Sequence, residues 1–458
     1  MPLPADFAAR TRRWLDDYPM LEKALHGEPP VSIRINPARR VVAAPPLPER
    51  VKWCETGYYL DSRPAFTFDP MLHGGAYYVQ EASSMFLEQV VRQYVTSPVV
   101  CLDLCAAPGG KSTHLSTLLP SGSVLVANEV IRSRCRVLTE NVLKWGAANV
   151  IVTNSDPAEA GCLTHLFDMI VADMPCSGEG MFRKDTRSRH EWSAAQVRLC
   201  ADRQRRIVHD VWEALRPGGL FVYSTCTFNR EENEDNVRHI AETFHARALP
   251  LTVGDGWRVS AGADDARPSY RFFPHRTRGE GFFLALLRKP DAPVRRIAAN
   301  RKNRPQAVKL PAQMREWLRE PERFRIETFR DVVHAIPEQA SDVFEILSAR
   351  LPLPATGIPV GCIKGRDAIP SHGLALSTSL NAGAFPSVEA ARDEAVRYLQ
   401  KAPPALPDGM SKGLYLITYG RLPLGFARNI GTRVNNLYPQ EWRIRSRDVP
   451  PERPPLFG

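Results

Sequence analysis

The stretch that decides the fold is VVCLDLCAAPGGK, residues 99–111. Residues 99–104 form a short apolar run after Pro98, and a loop of small residues leads from it to a helix predicted to begin at Lys111. In such a turn, backbone N–H groups are open to a carboxylate or a phosphate. The loop has neither the GxGxxG nor the GxxxxGK[ST] spacing, which argues against a dinucleotide fingerprint and a Walker A loop. A tight structural turn is the alternative for the loop taken alone.

Strands and helices alternate from this stretch through residue 290. The predicted strands are 124–130, 150–153, 167–172, 220–224 and 282–287, and the predicted helices are 111–119, 132–145, 196–215 and 231–244. The strand segments are apolar without polar alternation, which indicates burial on both faces and a mainly parallel sheet. The pattern therefore predicts a doubly wound, Rossmann-like α/β domain with right-handed crossovers.

The segments on either side differ in character. An α+β extension is predicted first, with a strand at 31–36 and a helix at 77–91. Residues 291–330 hold 11 Lys and Arg against 5 Asp and Glu, which is typical of a basic linker or of a solvated helix face. The Pro- and Gly-rich remainder predicts small mixed or β-rich units, with β-like stretches at 358–363, 373–376 and 414–418. We divide the chain into residues 1–95, 96–290, 291–365 and 366–458.

The composition suits a protein with a polyanionic partner and argues against membrane-spanning, secreted and zinc-ribbon proteins. The chain has 458 residues and a formal charge of +10, which suits a polyanionic partner. No apolar run approaches the roughly 18 residues of a membrane span, and the N-terminus becomes charged before an apolar signal segment forms. The nine cysteines include no CxxC pair, so neither a disulfide framework nor a zinc ribbon is expected. Free thiols indicate a reducing compartment, most simply the cytoplasm, and nothing in the pattern requires more than a monomer.

Two acidic residues follow the second and third predicted strands of the α/β domain. Glu129 lies at the end of one strand, where a carboxylate in a doubly wound fold can bind ribose hydroxyls. Asp156 follows the next strand and can face an adenine, although exposed carboxylates at strand ends are common. Together with the loop before Lys111, they predict a nucleoside-bearing cofactor across the carboxyl ends of the strands.

Two cysteines 50 residues apart also follow apolar strands: Cys176 in DMPCSGEG (173–180) and Cys226 in YSTCT (223–227). Both strand ends face one crevice in an open α/β sheet. A single Cys is usually a small buried apolar residue, but two cysteines at strand ends indicate that their thiols have a chemical role. No set of His and Cys suits a metal ion. The other cysteines are interpreted as structural: Cys54, Cys101, Cys135, Cys162, Cys200 and Cys362.

Five motifs resemble one enzyme family over most of the chain. They are YYVQEASSM (77–85), CAAPGGK (105–111), DMPCSGEGMFRKD (173–185), YSTCTFNREENE (223–234) and PHRTRGEGFF (274–283). These stretches resemble the S-adenosylmethionine-dependent RNA cytosine-C5 methyltransferases of the NOL1/NOP2/sun type. The tail, with KGRDAIPSHGLAL (364–376) and LPLGFARNIGTRVNNLYPQEWRI (422–444), is similar to members that act on small-subunit ribosomal RNA. The resemblance implies an RNA-binding N-terminal extension and a PUA-like RNA-binding tail.

The resemblance also implies site residues. The loop that would hold the methionine side of the cofactor is Cys105, Ala106, Ala107, Pro108, Gly109, Gly110 and Lys111. Glu129 would bind the ribose and Asp156 the adenine; many members have Asp in place of Glu129, whose longer side chain still reaches a ribose. Cys226 would be the nucleophile and Cys176 a second cysteine implicated in product release. Asp173 would lie between cofactor and target base.

Thiols suit this reaction because cytosine C5 is a poor nucleophile until a nucleophile has added to C6. A free thiol has a pKa of about 8.5, so the site is expected to favour the thiolate through positive charge or hydrogen bonds. The target base must leave its stack to reach the thiol, as in base flipping. Arg183 and Lys184 follow the first cysteine loop and can contact phosphates, or lie in a solvated loop.

Other functions stay open on the sequence alone. A related enzyme could act on transfer RNA, and a non-catalytic RNA-binding or ribosome-assembly factor could use the same fold. The DNA cytosine methyltransferases, which use similar chemistry, place their nucleophile in an Asp-x-Pro-Cys motif. That placement would select Cys176 instead of Cys226. The tail and the Thr-Cys motif favour the ribosomal RNA enzyme and Cys226.

Overall fold

The computed structural model describes residues 2–39, 49–264, 266–293, 310–329, 331–365 and 367–451. Much of the predicted basic linker, residues 294–309, lies outside the described residues. Within them, no helix combines the length and apolar character that crossing a bilayer requires.

The N-terminal unit consists of short helices and a small antiparallel sheet. Its elements are α1 (Ala5–Thr11), α2 (Tyr18–Leu25), β1 (Val31–Ile35), β2 (Gly57–Leu60), α3 (Pro70–His73), β3 (Tyr77–Val79) and α4 (Leu87–Tyr94). Strand β1 lies in the middle and pairs with β2 and β3. The helix predicted over 77–91 is wrong in its first half, because Tyr77–Val79 pairs with β1 and the α-helix begins only at Leu87. Aromatic and β-branched residues fit a pleated edge, and pairing overrides helical periodicity here.

The α/β unit follows the predicted alternation closely. Its elements are β4 (Val100–Asp103), α5 (Gly110–Leu118), β5 (Val124–Asn128), α6 (Arg132–Trp145), β6 (Val150–Thr153), α7 (Pro157–Gly161), β7 (Phe167–Asp173), α8 (Thr186–Glu191), α9 (Ala194–Val211), β8 (Leu215–Thr225), α10 (Glu234–Thr243), β9 (Arg247–Leu249), β10 (Ser260–Ala261), β11 (Tyr270–Phe272) and β12 (Phe282–Arg288). The helix predicted over 196–215 ends earlier, at Val211, and its last predicted residue, Leu215, begins β8, where it pairs with Phe167 of β7.

The central sheet confirms the predicted doubly wound α/β fold. Five parallel strands run in the order β6-β5-β4-β7-β8, and the antiparallel strands β12, β11 and β10 continue beyond β8. The chain leaves β4 toward β5 and β6, then returns to the other side of β4 with β7. This reversal of strand order is the switch point at which open α/β sheets bind ligands, outside the carboxyl ends of the strands.

Two apolar cores cover the two faces of the sheet. Successive residues of each strand alternate between them: Cys101 and Leu102 of β4 belong to different cores. One core contains Leu115 of α5 and Leu138 of α6, and the other contains Ile207 of α9 and apolar residues of α10. Because these strands are buried on both faces, their sequences are continuous apolar runs.

The C-terminal region adds two four-stranded sheets. Its elements are α11 (Ala312–Arg315), β13 (Phe324–Phe329), β14 (Val332–Pro337), α12 (Ser341–Ser348), β15 (Ala355–Thr356), β16 (Ile358–Lys364), β17 (Asp367–Pro370), α13 (His372–Ala375), β18 (Ser387–Glu389), α14 (Arg392–Leu399), β19 (Gly413–Tyr419), β20 (Leu422–Asn429) and β21 (Val434–Asn436). The first sheet has the order β13-β14-β16-β17, the second β18-β19-β20-β21, and β15 pairs with β6 at the edge of the central sheet.

Two expectations for this region need correction. The β-like stretch predicted at 373–376 is mostly helix α13, because His372–Ala375 packs as a single turn between β16 and β20. The boundary drawn between residues 365 and 366 falls between β16 and β17, which pair with each other. The first C-terminal sheet therefore ends at Pro370.

Candidate active site

The two cysteines singled out in the sequence meet at the carboxyl end of the sheet. The sulfur atoms of Cys176 and Cys226 lie 3.2 Å apart. Strand β7 ends at Asp173 directly opposite Ser224 of β8, so the loops that follow the two strands leave the sheet side by side. The predicted common crevice is therefore present.

Close backbone packing holds the two cysteine loops together. The N–H of Gly180, in the first loop, donates to the carbonyl of Cys226 at 2.9 Å. A Cβ at position 180 would lie 2.7 Å from the carbonyl oxygen of Gly281 and 2.9 Å from that of Cys226. Because both obstacles are backbone atoms, only glycine fits there without moving the loops.

Asp173 lies between two donors at the base of the crevice. Its Oδ1 accepts a hydrogen bond from Ser224 Oγ at 2.8 Å, and its Oδ2 lies 2.8 Å from Lys111 Nζ. The Lys111 ammonium also lies 5.2 Å from the ring centroid of Phe282. Burial alone would lower the pKa of Lys111, but the charge and hydrogen bond of Asp173, together with the charges of Asp103 and Cys226, outweigh burial and raise that pKa. Lys111 is thus a cation held within the site.

Cys176 lies in surroundings that favour its protonated thiol. Its hydrogen bond to Cys226, burial, and the charges of Cys226 and Glu232 raise the pKa of Cys176 well above its ordinary value. Cys176 is therefore suited to donate its S–H to the sulfur of Cys226.

A buried polar network lies behind the cysteine loops. The Glu232 carboxylate accepts from the Ser177 N–H at 3.0 Å and from the amides of Gln204 and Asn229 at 2.8 Å each. Glu179 accepts from the N–H groups of Phe228 and Asn229. Burial raises the pKa of Glu232 to about 7 despite these donors. This network fixes the loop backbones, and sequence reasoning missed it, although both glutamates lie within the quoted motifs.

The predicted cofactor loop closes over the end of β4. Gly109 has a φ of +112°, in the left-handed region that favours glycine, and α5 begins at the next residue. Arg134 of α6 donates to the carbonyl of Ala107 at 2.8 Å and lies 3.4 Å from Glu129 Oε2. Arg134 therefore ties the loop to the acidic residue after β5, a link that nothing in the sequence indicated.

The residues present fit S-adenosylmethionine. Asp103 Oδ1 and Glu129 Oε2 are buried acceptors that form no hydrogen bond among the described residues, and the only charged group in ion-pair contact with Glu129 Oε2 there is Arg134, at 3.4 Å. The other Asp103 oxygen accepts from Ser112 Oγ at 2.7 Å, and Glu129 Oε1 accepts from the Ile131 N–H at 2.9 Å. A ligand with an ammonium group and ribose hydroxyls supplies the donors that the two remaining oxygens need.

Asp156 has a local structural role as well. It is exposed, and its side chain accepts from the Ala158 N–H at 3.0 Å as the N-cap of α7, while Glu159 completes a capping box. Contact of Asp156 with an adenine stays a prediction. Arg183 forms a buried ion pair with Glu280 at 2.7 Å, so its guanidinium is not directed to solvent.

One buried cluster holds residue types that also bind metals. Cys54, Glu88 and His114 lie together, with His114 Nε2 3.1 Å from Glu88 Oε2 and 3.7 Å from Cys54 Sγ. Burial lowers the pKa of His114 to about 4 and raises that of Cys54 to about 12, so both are neutral at pH 7. Hydrogen bonds between neutral donors and the Glu88 carboxylate account for this cluster.

Comparison with known proteins agrees with this geometry. Three family models match: the 16S rRNA methyltransferase RsmB/F over residues 96–288, the N-terminal domain of 16S rRNA methyltransferase RsmF over 3–82, and the methyltransferase RsmF PUA domain over 385–444. The ribosomal RNA small subunit methyltransferase F of Aliivibrio fischeri (strain MJ11) is 31% identical over 415 residues, which covers 86% of this chain and 85% of the relative. Its counterpart in Escherichia coli O6:H1 is 31% identical over 452 residues, covering 90% and 89%.

Solved structures show the same fold. A methyltransferase homolog from Pyrococcus horikoshii has a TM-score of 0.52 at 26% identity, and the match covers 63% of this chain and all of that one. NSun6 from the same organism, solved with SFG, has a TM-score of 0.53 at 20% identity and covers 63% and 99%.

The doubly wound sheet and the match to a methyltransferase family model over residues 96–288 together identify an S-adenosylmethionine-dependent methyltransferase. The chain belongs to the RsmF family of 16S rRNA methyltransferases, and S-adenosylmethionine is its cofactor.

The buried Asp103 makes stability depend on pH. Burial raises its pKa from 3.8 to about 7, so the folded state binds its proton more tightly than the unfolded state. Below pH 3.8 the neutral Asp103 carboxyl stabilises the folded state relative to its ionised form. This stabilisation is lost as the pH rises from 3.8 to about 7. We expect the free energy of unfolding of Asp103→Asn, taken relative to that of wild type, to be higher at pH 8 than at pH 5 by on the order of 2–4 kcal/mol. Urea unfolding of the cofactor-free protein at both pH values measures this.

The matched control is Asp202→Asn on the exposed face of α9, which should keep a constant difference from wild type at both pH values. If the difference in free energy of unfolding between Asp103→Asn and wild type did not increase toward pH 8, burial of the ionised Asp103 carboxylate would be contradicted.

Proposed function

We propose that this chain methylates C5 of a cytosine in 16S ribosomal RNA through a covalent bond between Cys226 and C6 of the base. The observation that carries the proposal is the 3.2 Å contact of Cys226 with Cys176 beside the Asp173–Lys111 ion pair. A nucleophilic thiol, a second thiol, a carboxylate and a cation are the groups that this reaction needs.

Covalent addition overcomes the low reactivity of C5. The thiolate of Cys226 adds to C6, and electron density moves through the ring to C5. S-adenosylmethionine, when bound, supplies the electrophilic methyl group. C5 attacks that methyl group as its bond to sulfur breaks, which leaves S-adenosylhomocysteine. Loss of the C5 proton to solvent and departure of the Cys226 thiolate from C6 then restore the double bond and free the protein. A thiol suits both ends of this sequence because it adds readily and leaves readily.

We assign the two cysteines different roles in the reaction. The pKa of Cys176 is raised well above normal, so Cys176 stays a thiol, and its hydrogen bond can stabilise a thiolate on Cys226. The same S–H lies next to the sulfur that must leave C6, where it can assist release of the product. This hydrogen bond, together with the resemblance of the Thr-Cys motif to the RNA enzymes, supports Cys226 as the nucleophile.

Asp173 and Lys111 orient the base and stabilise its charge. The Asp173 carboxylate is held by Ser224 and Lys111, with lone pairs left to accept from the exocyclic amino group of a cytosine. Lys111 adds a fixed positive charge next to the ring, where negative charge develops after addition to C6.

The substrate assignment rests on the relatives and on the flanking units. The curated relatives are named for methylation of the small-subunit ribosomal RNA, and the matches cover nearly all of each one's length. The N-terminal unit and the PUA-like tail would hold RNA, in agreement with the net charge of +10. All nine cysteines are unpaired, which suits the cytoplasm, where ribosomes are assembled in bacteria.

Methyl transfer to different RNAs tests the substrate. The full chain is offered labelled S-adenosylmethionine with naked 16S RNA, assembled 30S subunits or transfer RNA, and each RNA is digested to nucleosides. We expect label in 5-methylcytidine from 16S RNA or 30S subunits. Label confined to transfer RNA would keep the chemistry and overturn the substrate. Cofactor binding without label in any RNA would favour a non-catalytic RNA-binding factor.

Alanine variants of the two cysteines test their roles. We expect Cys226→Ala to lose more than about 1,000-fold of methyl transfer and to form no covalent RNA complex. Cys176→Ala should accumulate a protein–RNA complex that survives a denaturing gel, because release is slowed. Cys162→Ala, at an exposed cysteine after α7, is the matched control and should behave as wild type. A covalent complex with Cys226→Ala would reverse the assignment.

A further inference from the structure

The cofactor loop is held from outside the α/β unit by a buried arginine of the N-terminal sheet. Arg34, on β1, donates through Nη2 to Thr113 Oγ1 at 2.6 Å and to the carbonyl of Gly110 at 3.3 Å. Its Nε donates to the side-chain carbonyl of Gln80 at 2.8 Å. Thr113 in turn donates to the carbonyl of Gly109 at 2.8 Å. A chain of hydrogen bonds therefore runs from β1 to the left-handed glycine of the loop.

The burial of Arg34 is costly for a residue that only fills space. Its side chain is fully buried, and its guanidinium lies 4.3 Å from the ring centroid of Trp145. The acceptors at its Nε and Nη2 are uncharged, and no ion pair joins Arg34 to an acidic residue within the described part of the chain. A buried charge without a counterion is expensive, so its contacts must specify something that an apolar side chain would not.

A second side chain of the same sheet reaches the same loop. The hydroxyl of Tyr78, on β3, lies 3.3 Å from the carbonyl of Pro108, which also accepts from the Asn141 amide at 2.8 Å. A Cβ on Gly110 would lie 3.5 Å from the Tyr78 ring and 3.7 Å from Gln80. The outer side of the loop is thus lined by β1 and β3.

We propose that the N-terminal sheet is a working part of the cofactor site, with Arg34, Gln80 and Tyr78 as positioning residues that set the affinity for S-adenosylmethionine. They hold the backbone of residues 108–110 so that the N–H groups of the first turn of α5, which begins at Gly110, face the ligand. The inference rests on the assignment of residues 105–111 as the cofactor loop, and it is independent of the base that is methylated. A loop freed on its outer side must be ordered when the ligand binds, which weakens binding without changing the reacting groups.

Calorimetric binding of S-adenosylmethionine and S-adenosylhomocysteine to the full-length protein, without RNA, tests the proposal. We expect Arg34→Lys to raise both Kd values by about tenfold, because an ammonium cannot bridge Gln80, Thr113 and Gly110 as the planar guanidinium does. Tyr78→Phe should raise both Kd values by about threefold, because it removes one neutral hydrogen bond. The matched control is Tyr58→Phe on β2, whose ring faces Arg50 instead of the loop.

Steady-state kinetics separate positioning from a general structural defect. The KM for S-adenosylmethionine should rise in step with its Kd, while kcat at saturation and the KM for RNA stay within about twofold of wild type. Where Arg34→Lys fails to fold, judged by its thermal midpoint, Tyr78→Phe decides. Wild-type Kd values for the folded variants, or equal loss of kcat and of RNA affinity, would overturn the proposal. Normal cofactor binding by wild type without 5-methylcytidine formation would instead refute the proposed function alone.

Discussion

The register between β7 and β8 is the constraint on which the rest of the site depends. Asp173 pairs with Ser224, so the two cysteine loops leave neighbouring strands from the same level of the sheet. A slip of one residue would turn every side chain of the strand to the other face and separate the loops. Burial of Ile170 and Phe221 in one core, and of Met169 and Val222 in the other, makes such a slip prohibitive. Hydrophobic packing on both faces therefore fixes the positions of the thiols.

The sequence predicts what depends on local pattern. Helix α6 and strand β6 have the predicted bounds, because a long amphipathic segment ending at Gly146 and a short β-branched run are clear local signals. The common crevice of Cys176 and Cys226 follows from the sequence because topology alone brings the strand ends together, whereas the 3.2 Å contact between their sulfur atoms is seen only in the structure. The sequence pattern predicts helix at Tyr77–Val79, where the structure has a strand, because the partner residues on β1 are 42 to 46 positions away and pairing leaves no local signature.

The remaining part of the site could not be predicted because it consists of long-range polar contacts. In the sequence, Lys111 is part of the predicted cofactor loop. In the structure, its ammonium forms an ion pair with Asp173, which is 62 residues further along the chain. Arg34 reaches Thr113 across 79 residues, and Gln204 reaches Glu232 behind the cysteine loops. Such contacts depend on the packing of three layers, which no spacing rule encodes. They connect the two cysteine loops, the loop of residues 105–111 and the N-terminal sheet in one polar framework.

The most direct test of the central claim is to identify the cysteine that bonds to RNA. Wild-type protein is incubated with S-adenosylmethionine and 16S RNA containing 5-fluorocytidine, whose fluorine cannot leave C5 as a proton does, so the adduct persists after methylation. Nuclease and trypsin digestion followed by tandem mass spectrometry then locates the modified residue. Our account predicts a methylated fluorocytidine on Cys226. Modification of Cys176, or the absence of any covalent adduct while methyl transfer to ordinary 16S RNA proceeds, would contradict it.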